Sequence, residues 1–296
     1  PMIYQNEIGI LGIIKNVKNN KYLLQAKVEP GNINKLQISP TVQATESNYT
    51  QVHGGNKVEY LNFFIKKKDS AKFRFSEQGF RYFNKFNSNI LINTKQKIKL
   101  KNGFIWVSLN HLIKLTKIKN LINMDTLSII SANIKNNHID RPINSNQSIE
   151  YWFKNKDKKF YLNTSIVPLS QLKDWNYSKK QIIHKDKKHF SIVGLDVVSN
   201  RREVKKWSQP IIKGNGLAFA GFIIKKFNNT KHYLCKYILK PGIKGSVLCS
   251  TINTTEIKNY KRDPLIETYE RMILDNFFFN KKYKKNIYYD NIMSDE

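Results

Sequence analysis

The chain has 296 residues and a formal net charge of +29, and 40% of its residues are hydrophobic. This length provides for two modest domains, each with enough apolar side chains to bury a core. The longest apolar runs, such as Ile8–Ile14, are too short to span a bilayer, so the sequence argues against helical membrane spans and we expect no membrane partner.

The positive charge raises the question of a nucleic-acid partner, because such partners select strongly basic proteins. Nearly all of this charge comes from lysines spread through loops and strands alike, while arginines are few. The dispersed pattern favours an ordinary solvated surface, and we predict no nucleic-acid partner. A basic nucleic-acid-binding protein stays open as an alternative, and a diffuse positive field would also favour a diphosphate ligand.

The cysteines and histidines give no indication of a metal site. Cys235 and Cys249 are the only two cysteines. Two thiols supply neither a disulfide framework nor a metal quartet, and they suggest a reducing, cytoplasmic location. The histidines lack ligand spacing, and no Gly-rich dinucleotide loop, P-loop or His-Glu-x-x-His helix is present. We therefore expect no metal and no cofactor.

Hydrophobic spacing predicts strands and helices in both halves, which makes the fold class α+β. In chain order, the predicted strands are Gly9–Val17, Tyr22–Val28, Phe73–Phe75, Ile90–Ile92 and His189–Val198. The predicted helices are Lys57–Ile65, a helix capped by Ser108, Ser148–Lys154 and Ser170–Trp175. A turn is predicted at Glu29–Asn32, because Pro30 fixes one backbone dihedral and Gly31 permits a positive one.

An internal repeat divides the chain. Three blocks recur in the same order 209 to 211 residues later: Pro1–Ile3 at Pro210–Ile212, Tyr22–Gly31 at Tyr233–Gly242, and Thr41–Glu46 (TVQATE) at Thr251–Glu256 (TINTTE). We predict a first copy at 1–135, a linker at 136–148 and a second copy at 149–296. We also expect the chain to lack the N-terminal part of the first copy and the C-terminal part of the second.

The densest group of polar residues lies in Gln25–Gly55. Strand alternation predicts a wall of hydroxyl and amide groups that could bind a sugar or a base, formed by Gln37, Ser39, Thr41, Gln43 and Thr45. The nearby turn and loop add Glu29, Tyr49 and His53, which favours a pocket. The alternative is a strand whose polar face is simply solvated.

Two further polar groups could contribute. Phe73–Asn89 supplies Glu77, Gln78 and Arg81, and an arginine can bind a diphosphate through two hydrogen bonds. The alternative for this segment is a helix end with solvated charges. The second group consists of Arg201–Val204 and Trp207–Pro210. Its local pattern is equally consistent with ligand binding and with a contact between domains.

Several blocks resemble the signature segments of the NDP-hexose 2,3-dehydratase family. They are VEPGN, QISPTVQAT, SNYTQVHGG and SEQGFRY, together with the later NMDT, REV and WSQP. The resemblance covers essentially the whole chain. It implies tandem Nudix-like repeats, each a mixed β-sheet with flanking helices, in a longer protein that forms a homodimer. The metal-binding Nudix box is not visible, so pyrophosphate hydrolysis is not expected.

The resemblance also implies a reaction, the loss of the 2-hydroxyl of dTDP-4-keto-6-deoxyglucose in deoxysugar biosynthesis. A base removes the C3 proton, which the C4 ketone acidifies, and a general acid assists the departing hydroxyl. The product tautomerises to a 3,4-diketo-2,6-dideoxy sugar, and no redox cofactor is required. A non-catalytic Nudix-like protein that binds nucleotide sugars is the alternative.

The residues of the matching blocks supply the candidate site. The proton-transfer candidates are Glu29, Tyr49, His53 and Glu77. The substrate-binding candidates are Gln37, Thr41, Gln43, Thr45, Ser47, Asn48, Gln78 and Arg81. We expect the working pocket in the first copy, because the repeat places Lys240 opposite Glu29 and Asn253 opposite Gln43.

Overall fold

The computed structural model describes residues 2–32, 34–65, 71–77, 79, 81–134, 142–187, 189–214, 216, 219–254, 271 and 274. Over these residues the fold is α+β, with strands arranged in several sheets and few helices, as the sequence predicts.

The described residues of the first half form seven strands and four helices. The strands are β1 (Gly9–Asn16), β2 (Lys21–Val28), β3 (Leu36–Ser39), β4 (Val42–Ala44), β5 (Ala71–Ser76), β6 (Phe86–Thr94) and β7 (Phe104–Ser108). The helices are α1 (Glu46–Tyr49), α2 (Asn62–Ile65), α3 (Leu109–Leu115) and α4 (Met124–Ala132).

The second half begins with one long helix and continues with strands. The helix is α5 (Asn146–Lys159), followed by a 3-10 turn at Leu169–Gln171. The strands are β8 (Trp175–Tyr177), β9 (Gln181–His184), β10 (Ser191–Val198), β11 (Lys206–Lys213), β12 (Phe219–Gly221), β13 (Ile224–Phe227), β14 (Thr230–Tyr233), β15 (Cys235–Leu239), β16 (Ser246–Ser250) and β17 (Ile252–Thr254).

The seven strands of the first half form one mixed sheet around β1. Strand β1 pairs in parallel with β6 and antiparallel with β2 and β4. Its apolar residues alternate between two buried clusters. Leu11 and Ile13 pack with Ile129 of α4 on one face, while Ile14 packs with Phe64 of α2 on the other. The sheet is therefore covered on both sides, which explains its nearly continuous apolar strands.

The sheet divides between β1 and β2. These strands pair only at Ile14–Asn16 with Lys21–Leu23, after which β4 takes over as the partner of β1 and β3 pairs with β2. Thr41 lies at the point of division, where its hydroxyl accepts a hydrogen bond from Ile14 N at 3.0 Å and donates one to the carbonyl of Leu23. One buried side chain thus satisfies both strands where their own ladder stops.

The described part of the second half repeats this arrangement. Gly221 pairs with Ile252 as Gly12 pairs with Val42, and Lys236 pairs with Cys249 as Gln25 pairs with Ser39. Thr251 also makes the same bridge as Thr41, because its hydroxyl accepts from Ile223 N at 3.0 Å and donates to the carbonyl of Leu234. The strand registers therefore agree with the sequence repeat, pair by pair.

Several local predictions are confirmed. β1 and β2 lie within a residue of their predicted bounds, and Gly31 has a φ of +86° in the predicted turn. The side chain of Ser108 accepts a hydrogen bond from His111 N at the start of α3. These features depend on local alternation, turn chemistry and capping, which the sequence displays directly.

Other local predictions are wrong. The helix expected at Lys57–Ile65 is limited to the single turn α2, and Trp175 begins a strand rather than ending a helix. Helix α4, which begins inside the NMDT block, was not predicted from the sequence. Residues 136–141 of the predicted linker lie outside the described residues, and α5 begins within the linker at Asn146. In these short elements, packing against the rest of the fold outweighs the local sequence preference.

The bridge at Thr41 generates a prediction for stability. Thr41→Val keeps the shape of the side chain but leaves Ile14 N–H and the Leu23 carbonyl without this partner. Since an unsatisfied buried polar group costs about 1–3 kcal/mol, the variant should lower the free energy of unfolding by about 2–4 kcal/mol. Urea denaturation measures this. Thr164→Val, at an exposed position, is the matched control and should change stability little. An equal loss in both variants would contradict the bridging role.

Candidate active site

The division of the sheet is surrounded by a group of polar side chains, which we call the polar cluster: Lys27, Glu29, Gln43, Glu77, Asn87 and Asp125. Lys27 is the penultimate residue of β2, Gln43 lies on β4, Asn87 lies on β6, and Asp125 lies in the first turn of α4. The cluster therefore combines residues from five separate segments that only the folded sheet brings together.

Lys27 and Glu29 form the charged centre of the polar cluster. The side chain of Lys27 is 2% exposed, and its Nζ donates to the carbonyl of Gln43 and lies 3.5 Å from Glu29 Oε1. Arg202 of the second half forms an ion pair with the same oxygen of Glu29. Burial lowers the pKa of Lys27, while the neighbouring charge of Glu29 opposes that shift. Glu29 thus lies between two basic side chains.

Glu77 is the second carboxylate of the polar cluster. It accepts a hydrogen bond from Nδ2 of Asn87, whose Oδ1 accepts from Gly9 N at 3.0 Å. Burial raises the pKa of Glu77, and this effect exceeds the opposing charge of Lys85 and the hydrogen bond from Asn87. A carboxyl group with a raised pKa is suited to proton transfer near neutral pH.

Asp125 is the third carboxylate, and its Oδ2 accepts from Gln43 Nε2 at 3.3 Å. Burial raises the pKa of Asp125 to about 7, and the negative charges of Glu77 and Glu29 act in the same direction. Lys27 lowers it, but by less. The charges of Glu77, Glu29 and Lys27 thus all act on Asp125, and a buried carboxylate perturbed in this way is a candidate functional residue.

The predicted wall of polar residues is wrong in one respect. Gln37 and Ser39 pair with Lys27 and Gln25, whereas Gln43 pairs with Leu11, whose side chain packs on the α4 face. Because the chain breaks its alternation at Pro40 and Thr41, Gln37 and Gln43 lie on opposite faces of the sheet. Thr41 points into the ladder itself, and its hydroxyl is occupied by the backbone bridge.

The polar residues at the start of α1 form a neighbouring group. Ser47 donates to Glu7 Oε2 through its backbone N and its Oγ, at 3.3 and 2.9 Å, and Thr45 Oγ1 lies 3.4 Å from Ser47 Oγ. Lys85 donates to the carbonyl of Glu7 and lies close enough to Glu77 to influence its pKa. Ser47 is therefore connected to the polar cluster through Glu7 and Lys85.

The remaining predicted residues are less closely associated with the polar cluster. Tyr49 packs against the apolar cluster around Ile14, and burial raises its pKa. His53 is exposed, and Asn48 is half-buried. Arg81 is half-buried and its carbonyl accepts from Ile3 N at 2.8 Å, while Gln78 lies outside the described residues. Gln37 is buried and donates to the carbonyl of Asn120 at 3.2 Å.

Sequence reasoning did not select three residues that the structure places at the centre: Lys27, Asp125 and Arg202. Asp125 belongs to the NMDT block and Arg202 begins the REV block, while Lys27 immediately precedes VEPGN. What the sequence lacks is their proximity, because Arg202 is 173 residues from its partner Glu29. Their position within or beside matching blocks was the available indication.

Two negative findings apply to the described ranges alone. Within them, no group of three or more His, Cys, Asp or Glu side chains could hold a metal ion together. No helix there is long and apolar enough to cross a membrane.

The ion pair between Arg202 and Glu29 gives a second prediction. Both side chains are largely buried, at 14% and 10% exposure. Arg202→Gln should lower the free energy of unfolding by about 2–3 kcal/mol, because Glu29 would keep only Lys27 as a cationic partner. Arg201→Gln, at the exposed neighbouring position, is the control. In a double-mutant cycle with Glu29→Gln, the two losses should not add, and simple additivity would count against the pair.

The raised pKa of Asp125 gives a third prediction, for stability against pH. The folded state binds this proton more tightly than the unfolded chain, whose reference value is 3.8. The free energy of unfolding should therefore fall as pH rises from about 4 to 7. Asp125→Asn mimics the protonated acid, so it should match the native protein near pH 4 and exceed it by about 2–4 kcal/mol at pH 8. Exposed Asp174→Asn should show no such crossover, and a pH-independent difference for Asp125→Asn would contradict the shift.

Comparison with known proteins places this chain in a family. The chain matches the family model for NDP-hexose 2,3-dehydratase over residues 1–132 and 146–296. A relative from Streptomyces violaceoruber, named dTDP-4-dehydro-6-deoxy-alpha-D-glucopyranose 2,3-dehydratase, is 34% identical over 258 residues, covering 82% of this chain and 58% of that protein. Relatives of the same name from Amycolatopsis orientalis and Saccharopolyspora spinosa are each 30% identical, covering 90% and 89% of this chain and 59% and 60% of theirs. The chain thus spans about three fifths of the length of these curated relatives, and it belongs to the NDP-hexose 2,3-dehydratase family.

Proposed function

We propose that the protein containing this chain eliminates the 2-hydroxyl of dTDP-4-keto-6-deoxyglucose in deoxysugar biosynthesis. The names of the relatives support the substrate. The observation that carries the proposal is the polar cluster, in which burial raises the pKa values of Glu77 and Asp125, and in which the buried side chain of Lys27 lies between Glu29 and the carbonyl of Gln43. Elimination next to a ketone requires groups that can take and return protons near neutral pH, together with positive charge for a developing enolate.

The contacts support different roles for the candidate residues. Glu29 is paired with two cations, so we assign it to holding Lys27 and Arg202 in place rather than to proton transfer. Glu77 carries a raised pKa and is the stronger proton-transfer candidate of the two. Tyr49 and His53 stay candidates for proton transfer from the α1 side, with Thr45, Ser47 and Asn48 as possible hydrogen-bonding partners of the substrate.

The remaining predicted binding residues keep secondary roles in this proposal. Gln43 is the direct hydrogen-bonding candidate, because its amide contacts the polar cluster. Gln37 and Thr41 already donate to backbone carbonyls, which supports a role in shaping the site. Arg81 and Gln78 follow Glu77 in sequence and are assigned to the diphosphate. The chemistry needs no redox cofactor, and we propose none.

We also propose that the chain contains two tandem Nudix-like copies, at 1–135 and 149–296, joined by a linker at 136–148. The matching strand registers and the two threonine bridges support the duplication. The family model matches two segments whose interval, 133–145, overlaps this linker. The second copy is proposed to be catalytically degenerate, because Ile238 stands in the register position of Lys27 and Lys240 follows in that of Glu29.

A homodimer acting in the cytoplasm completes the proposal, as the family resemblance implies. Exposed apolar side chains near α5, such as Tyr161 at 82% and Ile166 at 74% exposure, are compatible with a covered surface in an assembly. Sedimentation equilibrium of the full-length protein measures the assembly state directly.

The fourth prediction tests the function itself. The full-length protein, incubated with dTDP-4-keto-6-deoxyglucose, should release a vicinal diketone that 1,2-diaminobenzene traps as a quinoxaline. Gln43→Ala should lower turnover by tenfold or more, since the amide contacts the reacting region. Asn253→Ala, at the equivalent position of the second half, is the matched control and should retain turnover. Tight binding of the sugar nucleotide without any diketone would instead establish a non-catalytic binding protein.

A further inference from the structure

Asp125 differs from the other two carboxylates of the polar cluster in its partners. Glu29 is paired with Lys27 and Arg202, and Glu77 accepts from Asn87. Asp125 has no cation within ion-pair distance in the part of the chain that the structure describes. Its Oδ2 accepts from the amide of Gln43, and its Oδ1 has no hydrogen-bond partner among the same residues. One oxygen is therefore anchored while the other is available.

The backbone around Asp125 is held firmly against the sheet. Asn123 N donates to the carbonyl of Ile38 at 3.0 Å, and Thr126 Oγ1 donates to the same carbonyl at 3.1 Å. The side chain of Asn123 caps α4 by accepting from Asp125 N at 2.8 Å. Hydrogen bonds to the sheet thus form on both sides of Asp125 along the chain. They hold its carboxylate in one position, which is the preorganisation that a catalytic group needs.

One buried polar atom beside this carboxylate is without a partner among the described residues. Gln43 Oε1, on the amide that anchors Asp125, accepts no hydrogen bond there. Buried polar atoms are rarely left in this state. An unpaired amide oxygen next to an available carboxylate oxygen fits a ligand that carries hydroxyl groups.

We propose that Asp125 is the catalytic base that removes the C3 proton of the sugar, with Gln43 orienting both its carboxylate and the substrate. This inference rests on the proposed dehydration and assigns a residue to its first step.

Protons and electrons balance in the elimination that follows from this assignment. The carboxylate of Asp125 takes the proton from C3, the C–H electrons form a C3=C4 bond, and the carbonyl pair moves to O4. The enolate then re-forms the C4 carbonyl, a C2=C3 bond forms, and the C2–O bond breaks. In a gluco-configured ring, the C3 hydrogen and the C2 oxygen lie on the same face. The protonated Asp125 can therefore return the proton to the departing oxygen, which leaves as water.

The charges around Asp125 favour a carboxyl group that first accepts the C3 proton and then returns it. Glu77 and Glu29 disfavour a further negative charge at Asp125, and Lys27 opposes them. The carboxyl group therefore changes its protonation state near pH 7 and can both accept and return a proton, which is the property required of a base that also acts as an acid. The ammonium group of Lys27 supplies positive charge to the same region, where the enolate oxygen develops.

The fifth prediction compares Asp125→Asn, Asp125→Glu and the exposed control Asp174→Asn in the full-length protein. Asp125→Asn should lower kcat by about 10²–10⁴-fold. It should also abolish exchange of the C3 hydrogen in deuterium oxide, followed by NMR, while the Kd for dTDP stays within about threefold. Asp125→Glu should recover part of the exchange because it restores the carboxylate. In the native protein, kcat/KM should rise with pH through a pKa near 7, because the base must be ionised.

The outcomes separate the two proposals. An active native protein in which Asp125→Asn turns over and exchanges C3 hydrogen at the native rate would overturn the role of Asp125 alone. Loss of turnover with C3 exchange intact would also overturn it, since another group would then be the base. A native protein that binds the sugar nucleotide but shows neither exchange nor diketone would overturn the proposed function itself.

Discussion

The hydroxyl group of Thr41 joins two strands at the place where they stop joining each other. By accepting from Ile14 N and donating to the carbonyl of Leu23, it allows β1 and β2 to separate without leaving buried backbone groups unsatisfied. Two short strands then lie in the gap, with β3 paired to β2 and β4 paired to β1. Because β4 then presents an open edge, the ammonium group of Lys27 can reach the carbonyl of Gln43. The chemistry of the site thus begins with a backbone constraint.

Burying Lys27 imposes the next requirement. An ammonium group at 2% exposure is costly unless it is compensated, and Glu29 and the Gln43 carbonyl provide the compensation. Glu29 in turn accepts Arg202, which ties the loop at 199–205 to the first half. Burial raises the pKa values of the two other carboxylates, and at Asp125 the negative charges of Glu77 and Glu29 add to this effect, at some expense of stability near neutral pH.

Local pattern was sufficient for the strands that are apolar on both faces and for the capped start of α3, because propensity and capping act within a few residues. It also selected Glu29, Gln43 and Glu77, which the structure brings into one cluster. It failed at the Pro40-Thr41 step, where a single irregular residue moves Gln43 to the face opposite Gln37. It could not associate Asp125 or Arg202 with the site, since the contacts that define them join segments distant in sequence. The α+β class depends on pattern, whereas the geometry of the site depends on register and long-range pairing.

A comparison of the two halves distinguishes the residues that the fold requires from those that the proposed chemistry requires. Thr251 repeats the bridge of Thr41, and the strand pairs around it keep the same register, so the constraint that opens the sheet is present twice. At the register position of the buried Lys27, however, the second half has Ile238. An apolar side chain there removes the need for a buried counter-ion, and the carboxylate of Glu29 gives way to Lys240. The bridge can be retained for stability alone, whereas a buried lysine surrounded by perturbed carboxylates reduces stability and persists only where its charge is used.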